Sequence, residues 1–305
     1  MKRLPLIVLC FAALSFAQNR PPAAPVGPPE PEPTFPELAR ADRVLAEGLA
    51  DKNPDTRKEV VGSLSLAGSR EPYLAQIHGA LEDKDVYVRL AAVASLVDLE
   101  KKNAAPGLIK ALYDEAPEVS FAAAKALWAL GDATGRAALL GVISGDTKTA
   151  SGPMTSQKRD MLRMLKTPRS LMMFALREGV GFVPVPGVGE GMSSLMLLAA
   201  DQGASGRSAS LLLVAHDPNP EIVKALRESL RDKDAAVRAS AVHSIAVRDD
   251  PTFLTELIPL MDDAKQPVRF RAAAGYIRLA GIQKAQWEER QKARMKAMKP
   301  AGKKK

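Results

Sequence analysis

The apolar positions of this chain recur in a fixed order that repeats about every 31 residues. Each copy contains an Asp, with apolar residues five, nine and thirteen positions after it, as in Val88–Ala92–Leu96. Because a spacing of four places these side chains on one stripe of an α-helix, each copy predicts an amphipathic helix after the Asp. The matching stripes are Val119–Ala123–Leu127, Val237–Ala241–Ile245 and Val268–Ala272–Tyr276.

A second helix is predicted before each Asp, because apolar residues also stand six and two positions ahead of it. The residues six positions ahead are Leu45, Ile77, Leu108, Leu226 and Leu257. The residues two positions ahead are Leu49, Leu81, Leu112, Leu230 and Met261. Each copy therefore predicts a pair of helices joined by an Asp-containing turn. Three further acidic residues are expected to be N-caps of the helix that follows the Asp turn: Asp55, Asp85 and Asp234.

An Arg follows the Asp after six residues in most copies, and Ser120 replaces it in the third. An Arg at this place can bond the Asp turn of its own or of the neighbouring unit. We therefore expect a ladder of ion pairs that fixes the stacking, and favour this structural role over anion recognition. Partly exposed pairs of this kind contribute about 0–1 kcal/mol each. The ladder residues are Asp51, Arg57, Asp83, Arg89, Asp201, Arg207, Asp232, Arg238, Asp263 and Arg269.

The unit, with its pattern D-x-x-x-x-V-R-x-x-A-x-x-A-L, resembles a HEAT repeat, in the short form first associated with phycobilisome lyases. The resemblance covers most of residues 37–281. It implies an all-α solenoid, in which stacked antiparallel helix pairs bury a continuous apolar seam. Six or seven pairs spaced by ~10 Å would form a curved rod of roughly 60–70 Å, with the units in sequence order. Such repeats serve as scaffolds, as adaptors and in a few enzymes.

The fourth copy predicts an insertion at about 167–190, because Asp146 and Asp201 are 55 residues apart. Its apolar residues suit either a loop folded back on the solenoid or an exposed hairpin that contacts a partner or a membrane surface. We take the second option as a hypothesis. The Gly-x-Gly-x-Gly at 187–191 lacks the strand and the Gly-Lys-Ser/Thr of a nucleotide site. The hypothetical contact residues are Phe174, Phe182, Val183, Pro184, Val185 and Pro186.

The two ends of the chain predict export and a tether. Residues 1–17 read as a signal peptide cleaved after Ala17, which predicts a periplasmic or secreted protein. A lipoprotein anchor on Cys10 is the weaker alternative, because Leu9 stands where such sites have a small residue. Residues 18–36 contain eight prolines and predict an extended linker. The solenoid is then predicted to occupy 37–283.

The net charge of +8 belongs to the ends of the chain. Lys2 and Arg3 carry two of the charges and residues 284–305 a net seven, which leaves −1 for residues 18–283. Nucleic-acid binding needs a basic stripe along the folded body, so the charge argues against it. The tail predicts a helix to about Met298. It suits either a solvated terminus or adhesion to an anionic membrane or envelope surface.

Catalytic and metal-binding patterns are missing from the sequence. It has three histidines, none of them three or four residues from another, and one Cys, so the sequence predicts no catalytic residues, metal ligands or cofactor. We expect a non-enzymatic, exported scaffold or adaptor that binds a protein partner along its inner helices or by the insertion. One alternative is a membrane-surface accessory protein using the insertion and the tail. The resemblance implies another, a lyase-type enzyme or enzyme accessory.

Overall fold

The computed structural model describes residues 29–99, 101–144 and 206–298, and every regular element in these ranges is helical. Short 3₁₀ segments complete three of the connections, at Ser65–Ala67, Pro251–Phe253 and Pro259–Asp262. The leader, most of the linker and the predicted insertion lie outside the described residues. The α-helices are α1 (Leu38–Leu49), α2 (Pro54–Leu64), α3 (Tyr73–Ala80), α4 (Val86–Val97), α5 (Lys101–Ala111), α6 (Pro117–Ala129), α7 (Ala133–Ser144), α8 (Gly206–Leu213), α9 (Pro220–Ser229), α10 (Ala235–Val247), α11 (Leu254–Leu257) and α12 (Gln266–Met298).

Successive helices form the predicted antiparallel pairs, with an outer helix before each Asp turn and an inner helix after it. The inner helices α2, α4 and α6 pack side by side, and so do α8, α10 and α12. Leu96, Leu127 and Ile245, which the repeat placed on the shared seam, have no exposed surface. The all-α solenoid of stacked helix pairs is therefore confirmed.

The turn before each inner helix explains where that helix begins. The side chain of Asp85 accepts hydrogen bonds from the N–H groups of Tyr87 and Val88, as an N-cap does. Asp234 caps α10 in the same way, so two of the three predicted caps are confirmed. The third prediction was wrong, because Asn53 caps α2 and Asp55 lies in its first turn. The reason is the repeat register, because Asn53 stands two residues after its Asp, as Asp85 and Asp234 do, and Pro54 suits the first helical position that follows.

The inner helices α2, α4 and α10 are buried on almost all sides. Every residue of α4 from Val88 to Leu96 is buried, and most of α10 is buried as well. Two buried serines bond the inner helix of the preceding unit: the Ser95 hydroxyl donates to the Val61 carbonyl at 2.7 Å, and that of Ser244 to the Leu211 carbonyl at 2.9 Å. The packing along α4 and α10 therefore leaves little surface open to a partner.

The last unit packs against the first, and we call this contact of α12 with α1 and α2 the closing junction. Gly48 of α1 allows close packing of α2 and of α12, because a Cβ atom there would collide with Val60 Cγ2 and lie 2.8 Å from the Phe270 ring. Gln266 Nε2 donates to Thr56 Oγ1 at 2.9 Å, and Arg70 Nη2 donates to the Ile277 carbonyl at 2.6 Å.

The predicted rod with units in sequence order is therefore wrong at one place. Among the described inner helices the order in space is α8, α10, α12, α2, α4 and α6. The physical reason is that a terminal repeat has an apolar side that needs a cover. The first and the last unit cover each other.

Helix α12 continues beyond the array and ends at Met298, as predicted from the tail sequence. Its residues from Lys284 onward are largely exposed. No helix in the described ranges combines the length and apolar character required to cross a bilayer.

Candidate functional site

The Asp and Arg residues of the repeat meet across neighbouring units. Arg57 donates from Nε and Nη2 to the Asp83 carboxylate at 2.7 and 2.8 Å, and from Nη1 to the Asp51 carbonyl at 2.9 Å. The Asp83 carboxylate also accepts from the Asp85 N–H at 2.9 Å, so it shapes its own turn. The hydrogen bonds from Arg57 hold the pKa of Asp83 below its usual value.

Two further junctions repeat this geometry. Arg89 bonds both carboxylate oxygens of Asp114 at 2.8 and 3.0 Å, and Arg238 bonds those of Asp263 at the same distances. The Arg89 side chain is only 8% exposed, whereas Arg207, which bonds Asp232, is 61% exposed. The ladder between inner units is thus better shielded from water than the sequence suggested.

The ladder has two irregular places. In the third unit the Ser120 hydroxyl donates to the Leu112 carbonyl at 2.7 Å. A bond within the unit thus takes the place of the arginine contact between units. In the last unit Arg269 keeps the bond to its own turn, at 3.3 Å from the Asp263 carbonyl. Among the residues that the structure describes, however, no carboxylate lies within ion-pair distance of Arg269. Asp201 falls outside the described ranges, so its ladder role stays a prediction.

A cleft opens at the closing junction beside Arg269, and we call it the closing cleft. It has a volume of about 510 Å³ and lies between the first turns of α2 and α12. Lys58 is paired with Asp55 at 3.7 Å, whereas Lys265 has no ion pair among the described residues. Backbone N–H groups at two helix starts add to the positive potential. The lining residues are Asp55, Lys58, Glu59, Ala264, Lys265, Gln266, Pro267 and Arg269.

Charged groups are buried behind this cleft. Arg271 is fully buried, donates from Nη1 to the Pro267 carbonyl at 2.8 Å, and has Glu59 Oε2 at 4.0 Å. Burial lowers the pKa of Arg271, and the charge of Glu59 opposes this shift. Burial, together with the positive charges of Arg271 and Arg278, lowers the pKa of His243 from 6.5 to about 3. The buried imidazole is therefore neutral at physiological pH.

Sequence reasoning missed these buried groups. Glu59 and Arg271 stand eight positions after their Asp, and His243 stands eleven after its own. The other units have Ala, Ser, Gly, Leu or Lys at these places. A large charged side chain at a position otherwise occupied mainly by small residues was the available signal.

The end of the linker, residues 29–36, lies against α12, and we call this segment the strap. Trp287 Nε1 donates to the Glu30 carbonyl at 3.1 Å, and Arg290 bonds the Glu30 carboxylate at 2.9 and 3.0 Å. Lys284 Nζ lies 3.8 Å from a carboxylate oxygen of Glu32. The hydrogen bond from Arg290 lowers the pKa of Glu30. The start of the tail is thus engaged by the acidic end of the linker.

The hypothetical contact residues of the insertion lie outside the described residues, and their role stays a prediction. They are Phe174, Phe182, Val183, Pro184, Val185 and Pro186. Within the described ranges, no three His, Cys, Asp or Glu side chains are grouped so that they could hold a metal ion.

Comparison with protein families agrees with the repeat geometry. The model of the HEAT repeats matches residues 73–150 and 193–277, which together are more than half of the chain. The first unit lies outside this match, yet its helices pack as the others do. A search of curated proteins gives no match. The matched repeats and the stacked helix pairs show that the chain belongs to the HEAT-repeat family.

Proposed function

We propose that the protein is an exported scaffold that binds a protein partner and performs no chemistry of its own. HEAT repeats generally mediate contacts between proteins, which supports the binding role. The leader at residues 1–17 and the proline-rich linker support export. Cell fractionation tests this part. We expect the protein in the periplasm or the medium, and removal of residues 1–17 retains it in the cytoplasm. Cytoplasmic wild-type protein would contradict export.

The closing cleft is the partner site that the geometry favours most. Arg57, Arg89 and Arg238 each bind an Asp of the next unit, whereas Arg269 is held by its own turn and has no such carboxylate among the described residues. An acidic side chain of a partner would supply the missing carboxylate, with Lys265 as a second cation. The buried inner helices α4 and α10 make the alternative route along the inner surface less favourable.

A charge-reversal experiment tests the cleft. The variant Lys265→Glu/Arg269→Glu is compared with Lys84→Glu/Lys233→Glu, in which two exposed lysines of other Asp turns are changed. Affinity purification from the envelope fraction should recover the same partner with the wild type and the control, and lose it with the cleft variant. Equal recovery by both variants would reject the cleft. Recovery of no partner by the wild type would reject the scaffold itself.

The insertion is proposed as a second contact, on the basis of its apolar sequence. Replacing Phe182, Val183 and Val185 by Ser should weaken partner capture if they contact the partner, and lower the melting temperature if they cover the solenoid. No change in either quantity would exclude both roles.

A membrane-surface role is the second candidate, and exposed residues of the tail favour it. Lys292 and Lys296 are exposed near the end of α12, together with the apolar Met295 and Met298. Such a helix end can adhere to anionic lipid. The chain should then float with anionic liposomes at low salt and sediment alone at high salt or after deletion of residues 284–305. Flotation that depends on neither salt nor the tail would contradict this role.

A further inference from the structure

The strap is bound to α12 by three contacts, two ion pairs and one hydrogen bond to its main chain. Arg290 forms a bidentate ion pair with the Glu30 side chain, Trp287 donates to the Glu30 main chain, and Lys284 lies beside Glu32. The three helix residues are spaced by three, so they lie along one side of α12. Helix α12 thus contacts both the charged side chains and the main chain of the same short segment.

The strap sequence suits this type of recognition. Glu30 and Glu32 alternate with prolines in Pro-Glu-Pro-Glu-Pro at 29–33. Proline lacks an N–H and holds the chain extended, so the carbonyl groups stay available and little entropy is lost on binding. An aromatic side chain with a polar hydrogen is typical of grooves that bind such segments. The Arg290 fork adds specificity for a carboxylate.

We propose that Lys284, Trp287 and Arg290 form a binding site for an extended, acidic, proline-rich segment of a partner protein. In the free protein the strap occupies this site as a tethered ligand, which the partner segment displaces. The site is separate from the closing cleft, so either proposal can fail without the other.

The short connection between the strap and α1 favours binding of the strap over binding of a free segment. Only a few residues separate Glu32 from Leu38, where α1 begins. A segment tethered in this way has an effective concentration in the millimolar range, against which a free peptide must compete. The wild-type site should therefore be largely closed to weak ligands and open when the strap is removed.

Fluorescence anisotropy with a labelled peptide of residues 25–36 tests the proposal. The open variant Glu30→Arg/Glu32→Arg keeps the strap length but loses its fit to Arg290 and Lys284. It should bind the peptide at least about 10-fold more tightly than the full-length wild type, because the competing strap is gone. Affinity should fall as salt is raised. Equal binding by both proteins, or no binding by the open variant, would overturn the proposal.

Substitutions along α12 locate the site. In the open variant, Arg290→Gln should abolish peptide binding, because the Glu30 carboxylate of the peptide loses its bidentate partner, and the neutral side chain gives the two arginines of the variant strap nothing to pair with. Lys292→Glu, two residues along and on another side of the helix, should leave binding unchanged, as should Lys265→Glu/Arg269→Glu in the closing cleft. Equal loss with Lys292→Glu would reduce the contact to general charge attraction and overturn the assignment. Binding of phosphatidylglycerol vesicles but not of the peptide would also overturn it.

Discussion

The junction between α2 and α4 and the closing junction join inner helices by different means. At the first, Arg57 and Asp83 form the ladder contact that recurs at other neighbouring units. At the closing junction, an aromatic ring lies against Gly48, and polar bonds found at no other described junction connect the two units. Contacts that recur in every unit leave a periodic trace in the sequence. Contacts made once leave none, although they decide how the two ends of the array meet.

The difference also concerns how stability is shared. In an open array each unit depends on its neighbours in sequence, and the two ends are independent of each other. Here the last unit covers the first, so a change in α12 should reach α1, which lies more than 200 residues earlier in the chain. The predictions below test this coupling, beginning with the largest effect.

Phe270→Ala should break the closing junction most strongly. The ring is buried against Gly48, and removing a buried aromatic side chain costs about 3–5 kcal/mol of unfolding free energy. Urea unfolding measures the loss, and hydrogen exchange should speed up in α1 as well as in α12. Trp128→Ala, at a side chain that is 53% exposed, is the control and should cost far less. Unchanged exchange in α1 would mean that the two ends are not coupled.

Acid should weaken the packing behind the closing junction through His243. Its pKa is lowered to about 3 in the folded chain, so between 6.5 and 3 only the unfolded chain gains the proton. The stability that the folded chain gains from keeping His243 neutral is therefore complete above pH 6.5. It declines by about 1.4 kcal/mol per pH unit below that value. Unfolding curves at pH 7, 6 and 5 measure the slope. It should disappear in His243→Gln and persist in His216→Gln, whose side chain is exposed. Equal slopes in the two variants would contradict the assignment to His243.

Substitutions of ladder arginines should also distinguish the two kinds of junction, by a smaller loss of unfolding free energy. Arg89→Ala removes a shielded, bidentate contact with Asp114 and should cost about 2–3 kcal/mol. Arg269→Ala changes the same repeat position but removes no carboxylate contact among the described residues. It removes one bond to the Asp263 carbonyl and a contact over the Phe270 ring, and should cost about 1 kcal/mol. Chemical denaturation of both variants compares them. Equal losses would show that Arg269 supports the fold as the other ladder residues do.

Much of the fold was predictable because it is periodic. The stripe Val88–Ala92–Leu96 and the caps Asp85 and Asp234 follow from spacing and local hydrogen bonding. The cap of the first unit was predicted wrongly because Asp55 stands four residues after its Asp, whereas Asn53 stands two after it, as Asp85 and Asp234 do. A regular repeat pattern thus predicts the fold of each unit and its packing against the neighbouring units.

The closing junction and the candidate sites could not be predicted, because they depend on residues that occur in one unit. Gly48 looks like a small residue in a helix until Phe270 is placed against it. Arg269 looks like every other ladder residue in the sequence, although no carboxylate among the described residues pairs with it. Glu30 and Arg290 are 260 positions apart, and no local pattern connects them.

A distance between the two ends of the array tests the closing junction most directly. Cys10 is the only cysteine of the chain, so Cys10→Ser/Arg40→Cys/Asp262→Cys can carry one spin label at each end of an ion pair that crosses the junction. Pulsed electron spin resonance should give one short distance, within about two helix diameters (20–24 Å). A distance of ~60 Å, as in a rod of seven units spaced by ~10 Å, would contradict the closing junction and the account built on it.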